Sequence, residues 1–328
     1  MKILIIRFSS IGDIVLTTPV VRCIKQQIPN AEIHYLTKEA YYPVIYANTY
    51  IDQIHLLTSI DDTVAELKKI KFDLIIDLHK SLRSRIVKRK LNAPTVSFDK
   101  LNLKKWILVN FKKNTLPNIH IVDRYLNAAK SLNIVNDLEG LDYFLPEKDE
   151  EFSELLPVTH EDNFVAFVIG GAHKTKCLTD EKIRAICNKI NYPIILLGGE
   201  ENFELAESIA RSDSDKIINY CGKTNLNQSA AIIKEAKVVI THDTGLMHIA
   251  AAFKKKIVSI WGNTVPSFGM YPYLPKNPER FKIIENNKIN CRPCSKIGFE
   301  KCPKSHFKCI NDIENHEIVD CVKSFFEE

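Results

Sequence analysis

Residues Thr241–His248 combine a hydroxyl, a glycine and a histidine where an apolar, β-rich run passes into an apolar helical run. A strand that turns directly into a helix aims backbone N–H groups at one point, and a helix start carries about half a positive elementary charge. Thr244 can cap the helix and contact a ligand, while Gly245 permits close approach. His248 follows one turn later. The segment predicts a phosphate site; the alternative is an ordinary N-cap by Asp243 or Thr244.

A second polar segment lies near the amino terminus, directly after the apolar run Ile3–Ile6, which predicts a buried parallel strand. It contains Arg7, Ser10, Gly12 and Asp13. Open α/β sheets bind ligands at the carboxyl ends of their strands, so Asp13 is a candidate catalytic carboxylate. The alternative is again a plain N-cap. The single glycine does not form the G-x-G-x-x-G fingerprint, which disfavours an NAD-linked dehydrogenase.

Glycine-containing loops follow three further predicted strands. The first, Ile169–Lys176, contains Gly170, Gly171, Ala172 and Lys176, so it offers both close backbone approach and a positive charge to a phosphate. The other two are Leu197–Glu200 and Cys221–Thr224. A single glycine after a strand is often only a turn. Four successive strands that end in this way favour a ligand site.

The elements that must position these residues alternate between strands and helices, which predicts parallel βαβ units and a doubly wound α/β fold in two domains. The acidic stretch Pro146–Asp162 indicates a boundary, giving domains 1–157 and 158–328, with a last helix over 312–326 that can pack back on the first domain. Strands are predicted over Lys2–Phe8, Glu32–Leu36, Gln53–Leu57, Leu74–Leu78, Thr95–Phe98, Phe164–Ile169, Ile194–Leu197, Lys216–Tyr220, Val238–Thr241, Ile257–Trp261 and Phe281–Ile284. Helices are predicted over Ile14–Ile28, Ile60–Ile70, Arg83–Leu91, Val122–Leu132, Thr179–Asn191, Phe203–Ser212, Leu226–Glu235 and Leu246–Phe253.

Composition is that of a soluble globular protein, with 45% hydrophobic and 26% charged residues and a net charge of +5 in 328 residues. No signal peptide or membrane span is apparent, which predicts a cytoplasmic protein. Basic residues concentrate between Lys80 and Lys113, interleaved with apolar residues around Trp106. This basic block (residues 80–113) predicts peripheral contact with an anionic membrane surface. Nucleic acid would need the same charge, but no nucleic-acid-binding motif accompanies it.

A cysteine cluster lies close to the carboxyl terminus, while the other five of the nine cysteines are scattered and are interpreted as small apolar fillers. The C-x-x-C pair and its neighbours are typical of a structural zinc site, although the spacing is not a common one. A reduced cluster and a disulfide remain alternatives. The candidate zinc ligands are Cys291, Cys294, Cys302 and Cys309, with His306 among them.

Four motifs follow one another along the chain: Arg7, Ser9, Ser10, Gly12, Asp13, Thr17 and Pro19; Asp77-Leu78-His79 with Leu82-Arg83-Ser84; Gly170-Gly171-Ala172 with Lys176; and Asp243-Thr244-Gly245 with Met247-His248. Taken together, these motifs resemble glycosyltransferase family 9, the lipopolysaccharide heptosyltransferases, over nearly the whole chain. One departure is Cys177-Leu178, where the family usually has an aromatic residue after the lysine.

The resemblance implies a GT-B fold, in which two Rossmann-like domains face a cleft, and inverting transfer of heptose with Asp13 as general base. The C-terminal domain would bind ADP-heptose, and the N-terminal domain would bind a lipid A/Kdo acceptor at the inner membrane. No cofactor is required for such catalysis, and no Asp-x-Asp pair suited to a divalent ion is apparent. The implied donor-binding residues are Gly171, Ala172, Lys176, Asp243, Thr244, Gly245 and His248, and the implied acceptor-binding residues are Arg7, Ser10, Gly12, His79 and Arg83.

Two alternatives stay open within this resemblance. The chain could use another nucleotide-sugar or another glycan acceptor, since the sequence does not identify the sugar. It could also be a non-catalytic nucleotide-sugar-binding relative, although the presence of Asp13 argues against this.

Overall fold

The computed structural model describes residues 1–160 and 163–328, which form two compact units. The first comprises residues 1–100 and 119–144, and the second comprises 101–118 and 145–328. A domain division at residue 157 stays a prediction, and Glu161 and Asp162 of the acidic stretch lie outside the described residues.

The first unit is built on a five-stranded sheet in which every described pair of neighbouring strands is parallel. The strands are β1 (Lys2–Ile6), β2 (Glu32–Thr37), β3 (Gln53–Leu56), β4 (Leu74–Asp77) and β5 (Thr95–Ser97). Their order in the sheet is β3-β2-β1-β4-β5. The inner strand β1 is buried from Ile3 to Ile6, as expected for a strand covered on both faces. The helices are α1 (Ile11–Val15), α2 (Thr18–Gln27), α3 (Ile60–Leu67), α4 (Leu82–Leu91) and, after α5 of the second unit (Asn102–Phe111), α6 (Ile121–Ala128).

The predicted helix over Ile14–Ile28 is two helices, α1 and α2, with a break between them. Pro19 lacks a backbone N–H, and its ring clashes with the carbonyl four residues earlier, so one continuous helix is disfavoured. The hydroxyls of Thr17 and Thr18 donate instead to the carbonyls of Ile14 and Val15, at 2.7 and 2.8 Å. Asp13 lies within the first of the two helices, the short helix α1.

The second unit is built on a six-stranded sheet whose strands are β6 (Val165–Val168), β7 (Ile194–Leu197), β8 (Ile217–Asn219), β9 (Val238–His242), β10 (Lys256–Trp261) and β11 (Phe281–Glu285). Their order is β11-β10-β9-β6-β7-β8, again with parallel described pairs. The predicted fold of two parallel-sheet α/β domains is confirmed, and each predicted strand is present with ends that differ by at most two residues. Its remaining helices are α7 (Glu147–Glu150), α8 (Asp180–Lys189), α9 (Phe203–Ala210), α10 (Leu226–Glu235), α11 (Gly245–Ala252), α12 (Lys308–Asn311) and α13 (Asn315–Glu327).

The C-terminal helix α13 closes the core of its own unit. Ile318, Val322 and Phe325 are buried in one apolar cluster with residues of α8 and of the central strands. This packing buries the apolar stripe that predicted a helix there.

Candidate functional site

Each sheet has one point where the chain reverses the direction in which it adds strands, and the predicted site residues follow the strands at these two points. In the first sheet the reversal lies between β1 and β4, which precede Arg7 and His79. In the second it lies between β6 and β9, which precede the Gly170–Lys176 loop and Asp243. Such switch points are where open α/β sheets bind ligands.

In the first unit, Asp13 is held by charge and hydrogen bonds from two directions. Its Oδ1 lies 2.7 Å from Nη2 of Arg7. Its Oδ2 accepts hydrogen bonds from the Ser10 hydroxyl at 2.9 Å and from the Ser10 backbone N–H at 3.3 Å. The Asp13 side chain is 23% exposed, whereas that of Arg7 is 8% exposed. The carboxylate is thus fixed in orientation, and of the two side chains it is Asp13 that is more open to solvent.

These contacts keep Asp13 ionised. Burial opposes ionisation, but the charge of Arg7 and the hydrogen bonds from Ser10 outweigh it and lower the pKa of the carboxyl below its ordinary value. At neutral pH, Asp13 is therefore a carboxylate that can accept a proton. The predicted alternative, that Asp13 is the N-cap residue, is wrong: Ser10 is the N-cap residue of α1, and Asp13, three residues later, accepts the Ser10 backbone N–H.

Arg7 is positioned by the ends of two strands and by α6. Its Nε donates to the Ser9 carbonyl at 2.7 Å, and its Nη1 donates to the Leu78 carbonyl at 2.5 Å and to the Tyr125 hydroxyl at 3.1 Å. Tyr125 is fully buried, and the sequence did not identify it, because it lies 118 residues from Arg7. Gly12 is buried inside α1.

The segment after β4 is organised by Asp77, which is buried. Its carboxylate accepts the backbone N–H groups of His79 and Lys80 at 3.0 and 2.7 Å and the Ser84 hydroxyl at 2.9 Å. It also pairs with Lys88 at 2.8 Å. Asp77 therefore positions the segment and the start of α4.

His79 and Arg83, predicted acceptor contacts, differ in their surroundings. Burial and the positive charges of Arg7 and Lys100 lower the pKa of His79 to about 4, so its imidazole is neutral at pH 7. Arg83 is exposed, and its guanidinium makes no hydrogen bond or ion pair within the described part of the chain.

In the second unit, the structure brings Lys176 and Asp243 together, as their places after β6 and β9 predicted. Lys176 Nζ lies 2.7 Å from Asp243 Oδ2 and donates to the Asp243 carbonyl at 3.3 Å. The same Oδ2 accepts the Thr264 hydroxyl at 2.9 Å. Both charged side chains are mostly buried, 15% and 13% exposed. An ammonium group has three donors, so one N–H of Lys176 remains for a ligand.

The start of α11 supplies the backbone donors. Thr244 is the N-cap residue, and its hydroxyl lies 3.3 Å from that of Thr241 and makes no capping bond to the first turn. Gly245 begins the helix, and His248 is buried one turn later. The first turn thus has the uncapped N–H groups that bind phosphate in other proteins.

The glycine loop after β6 lies close to this helix start. A Cβ on Gly171 would come within 2.7 Å of the Cys177 sulfur and 3.4 Å of the Thr244 methyl group, so a larger residue would have to displace the Cys177 side chain. Ala172, the next predicted contact, is exposed. His242 anchors the far end of the loop, because its Nε2 accepts the Leu178 backbone N–H at 3.0 Å.

A clamp from residues 292–299, which the sequence did not identify, holds the loop from the other side. The Thr175 hydroxyl donates to the Phe299 carbonyl and accepts the Phe299 N–H, both at 2.8 Å. Arg292 is buried and donates to the Thr264 carbonyl at 2.8 Å. A chain of contacts therefore runs from Arg292 through Thr264 to Asp243 and Lys176.

The structure does not support the predicted zinc site. Within residues 1–160 and 163–328, no group of three or more His, Cys, Asp or Glu side chains is arranged to hold a metal ion. Cys291 Sγ lies 3.7 Å from His306 Nε2, but Cys294 Sγ donates to the Cys291 carbonyl and Cys309 is buried in the apolar core. Cys302 completes the predicted set and, like the other cysteines, is a free thiol.

The basic block is divided between the two units after Lys100. Several of its charges already have partners: Lys88 pairs with Asp77, Lys90 pairs with Asp61, and Lys112 donates to the Pro293 carbonyl. Among the described helices, none is long and apolar enough to cross a membrane.

Comparison with known proteins identifies the family. The model of glycosyltransferase family 9 (heptosyltransferase) matches residues 62–302. Lipopolysaccharide heptosyltransferase 1 of Campylobacter coli is 26% identical, with 99% of each chain covered. Among solved structures, E. coli ADP-heptose LPS heptosyltransferase II superposes with a TM-score of 0.76 at 18% identity, over 100% of this chain and 99% of that one. E. coli heptosyltransferase WaaC with ADP-2-deoxy-2-fluoro heptose gives 0.69 at 20%, over 100% and 99%.

The fold is that of these GT-B heptosyltransferases, and the family match extends over both the Asp77–Arg83 segment and the Lys176–Asp243 pair. The chain belongs to glycosyltransferase family 9, the heptosyltransferases, and is a glycosyltransferase.

Proposed function

We propose that this chain transfers heptose from ADP-heptose to the inner-core sugar of a lipid A/Kdo precursor, with inversion at the anomeric carbon and without a metal. The single observation that carries the mechanism is the Asp13 carboxylate, ionised, oriented by Arg7 and Ser10, and partly exposed. The names of the relatives, which include lipopolysaccharide heptosyltransferases 1 and 3, support the substrate class.

Asp13 is suited to the role of general base. An acceptor hydroxyl oxygen forms the new bond to the anomeric carbon, the bond from that carbon to the diphosphate oxygen breaks, and the hydroxyl proton moves to Asp13. A base on the face opposite the leaving group inverts the configuration. The low pKa makes Asp13 a weak base but keeps it ionised, which suits a transition state in which carbon–oxygen cleavage runs ahead of proton transfer.

The second unit is suited to the leaving group. Negative charge develops on the diphosphate as the bond breaks, and donors that are already oriented stabilise it without reorganisation. The remaining N–H of Lys176 and the uncapped first turn of α11 are such donors. Thr244 and Gly245 would contact the diphosphate, while Asp243 would orient Lys176.

Substitution of Asp13 by Asn tests the mechanism. Because general base catalysis typically contributes about 10²- to 10⁴-fold, D13N is expected to lower kcat by that factor and leave ADP affinity unchanged. Asp215→Asn, at an exposed carboxylate of the second unit without a described side-chain contact, is the matched control. Product formation from ADP-heptose and a lipid A/Kdo acceptor is followed by mass spectrometry. Retention by D13N of more than a tenth of the wild-type kcat would contradict the role.

The donor is tested separately by thermal shift with ADP-heptose and with other nucleotide-sugars. Stabilisation by ADP-heptose above all others supports the proposal, since a ligand that binds only the folded state raises the melting temperature. A larger rise in melting temperature with another nucleotide-sugar would identify that compound as the donor in place of ADP-heptose. Binding of ADP-heptose without turnover on any acceptor would favour a non-catalytic relative.

We also propose that α5 rests on the anionic inner-membrane surface, which would make the protein cytoplasmic and peripheral to that membrane. Its apolar side chains are unusually exposed: Leu103 by 70%, Trp106 by 48% and Phe111 by 66%. Lys104 and Lys113 lie beside them, exposed and without a described side-chain partner. Each cation near an anionic membrane contributes about 1 kcal/mol to the free energy of binding, and exposed apolar side chains contribute further by burial in the lipid.

Tryptophan fluorescence tests this contact, because the chain has two tryptophans and the other, Trp261, is 1% exposed. Vesicles that contain phosphatidylglycerol should shift the emission of Trp106 to the blue, and phosphatidylcholine vesicles should not. K104Q/K113Q should weaken the response, whereas the control K68Q/K69Q, at two exposed lysines next to α3, should not. Equal responses to both vesicles, or equal effects of both double substitutions, would contradict the contact.

A further inference from the structure

A short buried segment, residues 262–264 directly after β10, lies beside the Lys176–Asp243 pair. The Thr264 hydroxyl donates to Asp243 Oδ2 at 2.9 Å, and the same oxygen lies 2.7 Å from Lys176 Nζ. The other carboxylate oxygen, Oδ1, makes no hydrogen bond within residues 1–160 and 163–328. Two donors therefore meet on one oxygen, and together they hold the Asp243 carboxylate in one orientation.

The same segment contacts the loop that carries Lys176. The Asn263 backbone N–H donates to the Thr175 carbonyl at 3.2 Å, one residue before Lys176. Gly262 permits this close approach, because a Cβ there would come within 2.5 Å of the same carbonyl oxygen. The segment thus contacts the backbone next to the cation of the pair as well as the anion itself.

Arg292 ties the segment to the ends of two strands. Its Nη2 donates to the Thr264 carbonyl at 2.8 Å and to the Trp261 carbonyl at 3.3 Å, and it pairs with Glu285 Oε2 at 2.8 Å. Trp261 and Glu285 are opposite each other at the ends of β10 and β11. Because the guanidinium is buried, its donors have little water to replace these partners. Thr264 is therefore held through its carbonyl, while its hydroxyl serves the ion pair.

We propose that Thr264 is a positioning residue for the leaving diphosphate: its hydroxyl orients the Asp243 carboxylate so that Lys176 keeps one N–H for phosphate. The inference rests on the proposed function, since it concerns the donor of that reaction. Without the hydroxyl, the Asp243 carboxylate is held by Lys176 alone and can turn both oxygens toward the ammonium group, which withdraws the N–H assigned to phosphate. Hydrogen bonds to a carboxylate are among the stronger ones, so this loss is felt at the ligand.

Replacement of Thr264 by Val tests this role, because the side chain keeps its shape and loses its hydroxyl. T264V should bind ADP and inorganic diphosphate about tenfold more weakly than the wild type and bind adenosine equally well, by calorimetric titration at one ionic strength. T264S, which regains a hydroxyl, should restore most of the affinity. T264A replaces T264V if the valine variant does not fold. Wild-type affinity of T264V for both phosphate ligands would overturn the proposal.

The K176M background separates positioning from a general effect on the fold. If Thr264 acts through Asp243 and Lys176, T264V should change the affinity of K176M for ADP less than twofold, because the N–H that the hydroxyl protects is already absent. Equal losses in both backgrounds would mean that the substitution distorts the site as a whole, and the positioning role would be refuted.

Thr63→Val is the matched control. It removes a comparably buried hydroxyl, which donates to the Ser59 carbonyl at 2.6 Å in the first unit. T63V should lower the free energy of unfolding in urea and leave the affinity for ADP unchanged. If T63V weakens ADP binding as much as T264V does, the effect of T264V comes from stability and the assignment to Thr264 fails.

Kinetics separate this inference from the proposed function. With ADP-heptose and an active acceptor, T264V should lower kcat/KM for the donor about tenfold and leave the KM for the acceptor unchanged. Heptose transfer by T264V with an unchanged donor kcat/KM would overturn the positioning role and leave the function standing. Binding of phosphate ligands that depends jointly on Thr264 and Lys176, without heptose transfer, would overturn the function and leave the positioning role standing.

Discussion

Replacement of Lys176 by Met is the most direct test of the proposed phosphate site in the second unit. The substitution keeps a long, unbranched side chain but removes the ammonium group that lies 2.7 Å from Asp243 Oδ2. Of its three donors, the two described contacts with Asp243 account for two, and the third is assigned to the diphosphate. K176M should therefore act on ligands that carry phosphate and spare those that do not.

The size of the effect follows from the contact that is lost. A hydrogen bond to a charged group is worth about 1.5–3 kcal/mol, which corresponds to roughly 10- to 150-fold in affinity for ADP. The change also leaves the Asp243 carboxylate, 13% exposed, with the Thr264 hydroxyl but without its counter-charge. That uncompensated negative charge beside the phosphates adds repulsion, so the upper part of this range is expected.

A second substitution, Asp243→Asn, should change the affinity for ADP in opposite directions with and without Lys176. With Lys176 present, Asp243→Asn should weaken ADP binding because Lys176 loses its anchor. In the K176M background, the same change should strengthen ADP binding about tenfold because it removes the repulsion. Calorimetric titration with ADP, and with adenosine as the phosphate-free reference, measures all four proteins at one ionic strength.

Lys174→Met is the matched control, since Lys174 is an exposed lysine in the same short 3₁₀ turn, Lys174–Lys176. A K176M protein that binds ADP within threefold of wild type would refute the assigned role. If the double variant binds ADP no better than K176M, the Asp243 carboxylate does not repel the phosphates, and the inference that they lie beside it is refuted.

Three further measurements test other parts of the structure. Burial lowers the pKa of His242 to about 4, below its ordinary value near 6.5, so the unfolded chain binds more protons between these values. His242 alone should lower the free energy of unfolding by on the order of 3 kcal/mol as pH drops from 6.5 to 4, and His79, whose pKa is lowered in the same way, adds to this fall; a flat profile in urea denaturation would contradict this. Arg7→Met should destabilise the first unit by about 3 kcal/mol because it breaks a buried ion pair with Asp13. Tyr125→Phe removes only the hydrogen bond to Arg7 and should cost about 1 kcal/mol. Equal losses of the free energy of unfolding in urea would refute the inference that Arg7 stabilises this unit chiefly through its ion pair. Treatment with a chelator should leave the melting temperature unchanged, and stoichiometric zinc by elemental analysis would restore the zinc hypothesis.

The parallel sheets could be predicted from the sequence because their strands are buried on both faces and appear as short apolar runs, such as Ile3–Ile6. Helix α5 was not predicted. Its lysines are interleaved with Trp106 and Leu108, and these charges obscured a helical stripe. It also starts after Leu101 in a left-handed conformation (φ 53°) without a side-chain cap, so the usual start signal is missing.

The candidate residues that follow strands could be named from the sequence, whereas several residues that hold them in place could not. Asp13 and Lys176 follow apolar runs that a reader can recognise. Tyr125, Thr264 and Arg292 act through contacts between segments far apart in the chain, and residue type alone does not signal such contacts. The zinc prediction failed for the same reason, because cysteine spacing does not reveal that Cys309 is buried in the apolar core.

In each of the two units, the candidate residues include a charge together with its counter-charge. A partly buried ion pair adds little to stability, because desolvation offsets most of the attraction, but it fixes orientation. In the first unit the cation is the more buried partner, 8% against 23% exposed, so the anion of the pair faces solvent, as a base for an acceptor hydroxyl must. In the second unit Lys176 and Asp243 are equally buried, at 15% and 13%, and Asp243 uses its carboxylate and its carbonyl to hold the ammonium group. An ion pair thus orients a carboxylate in one unit and an ammonium group in the other, and these are the two charges that the proposed transfer from a diphosphate donor would use.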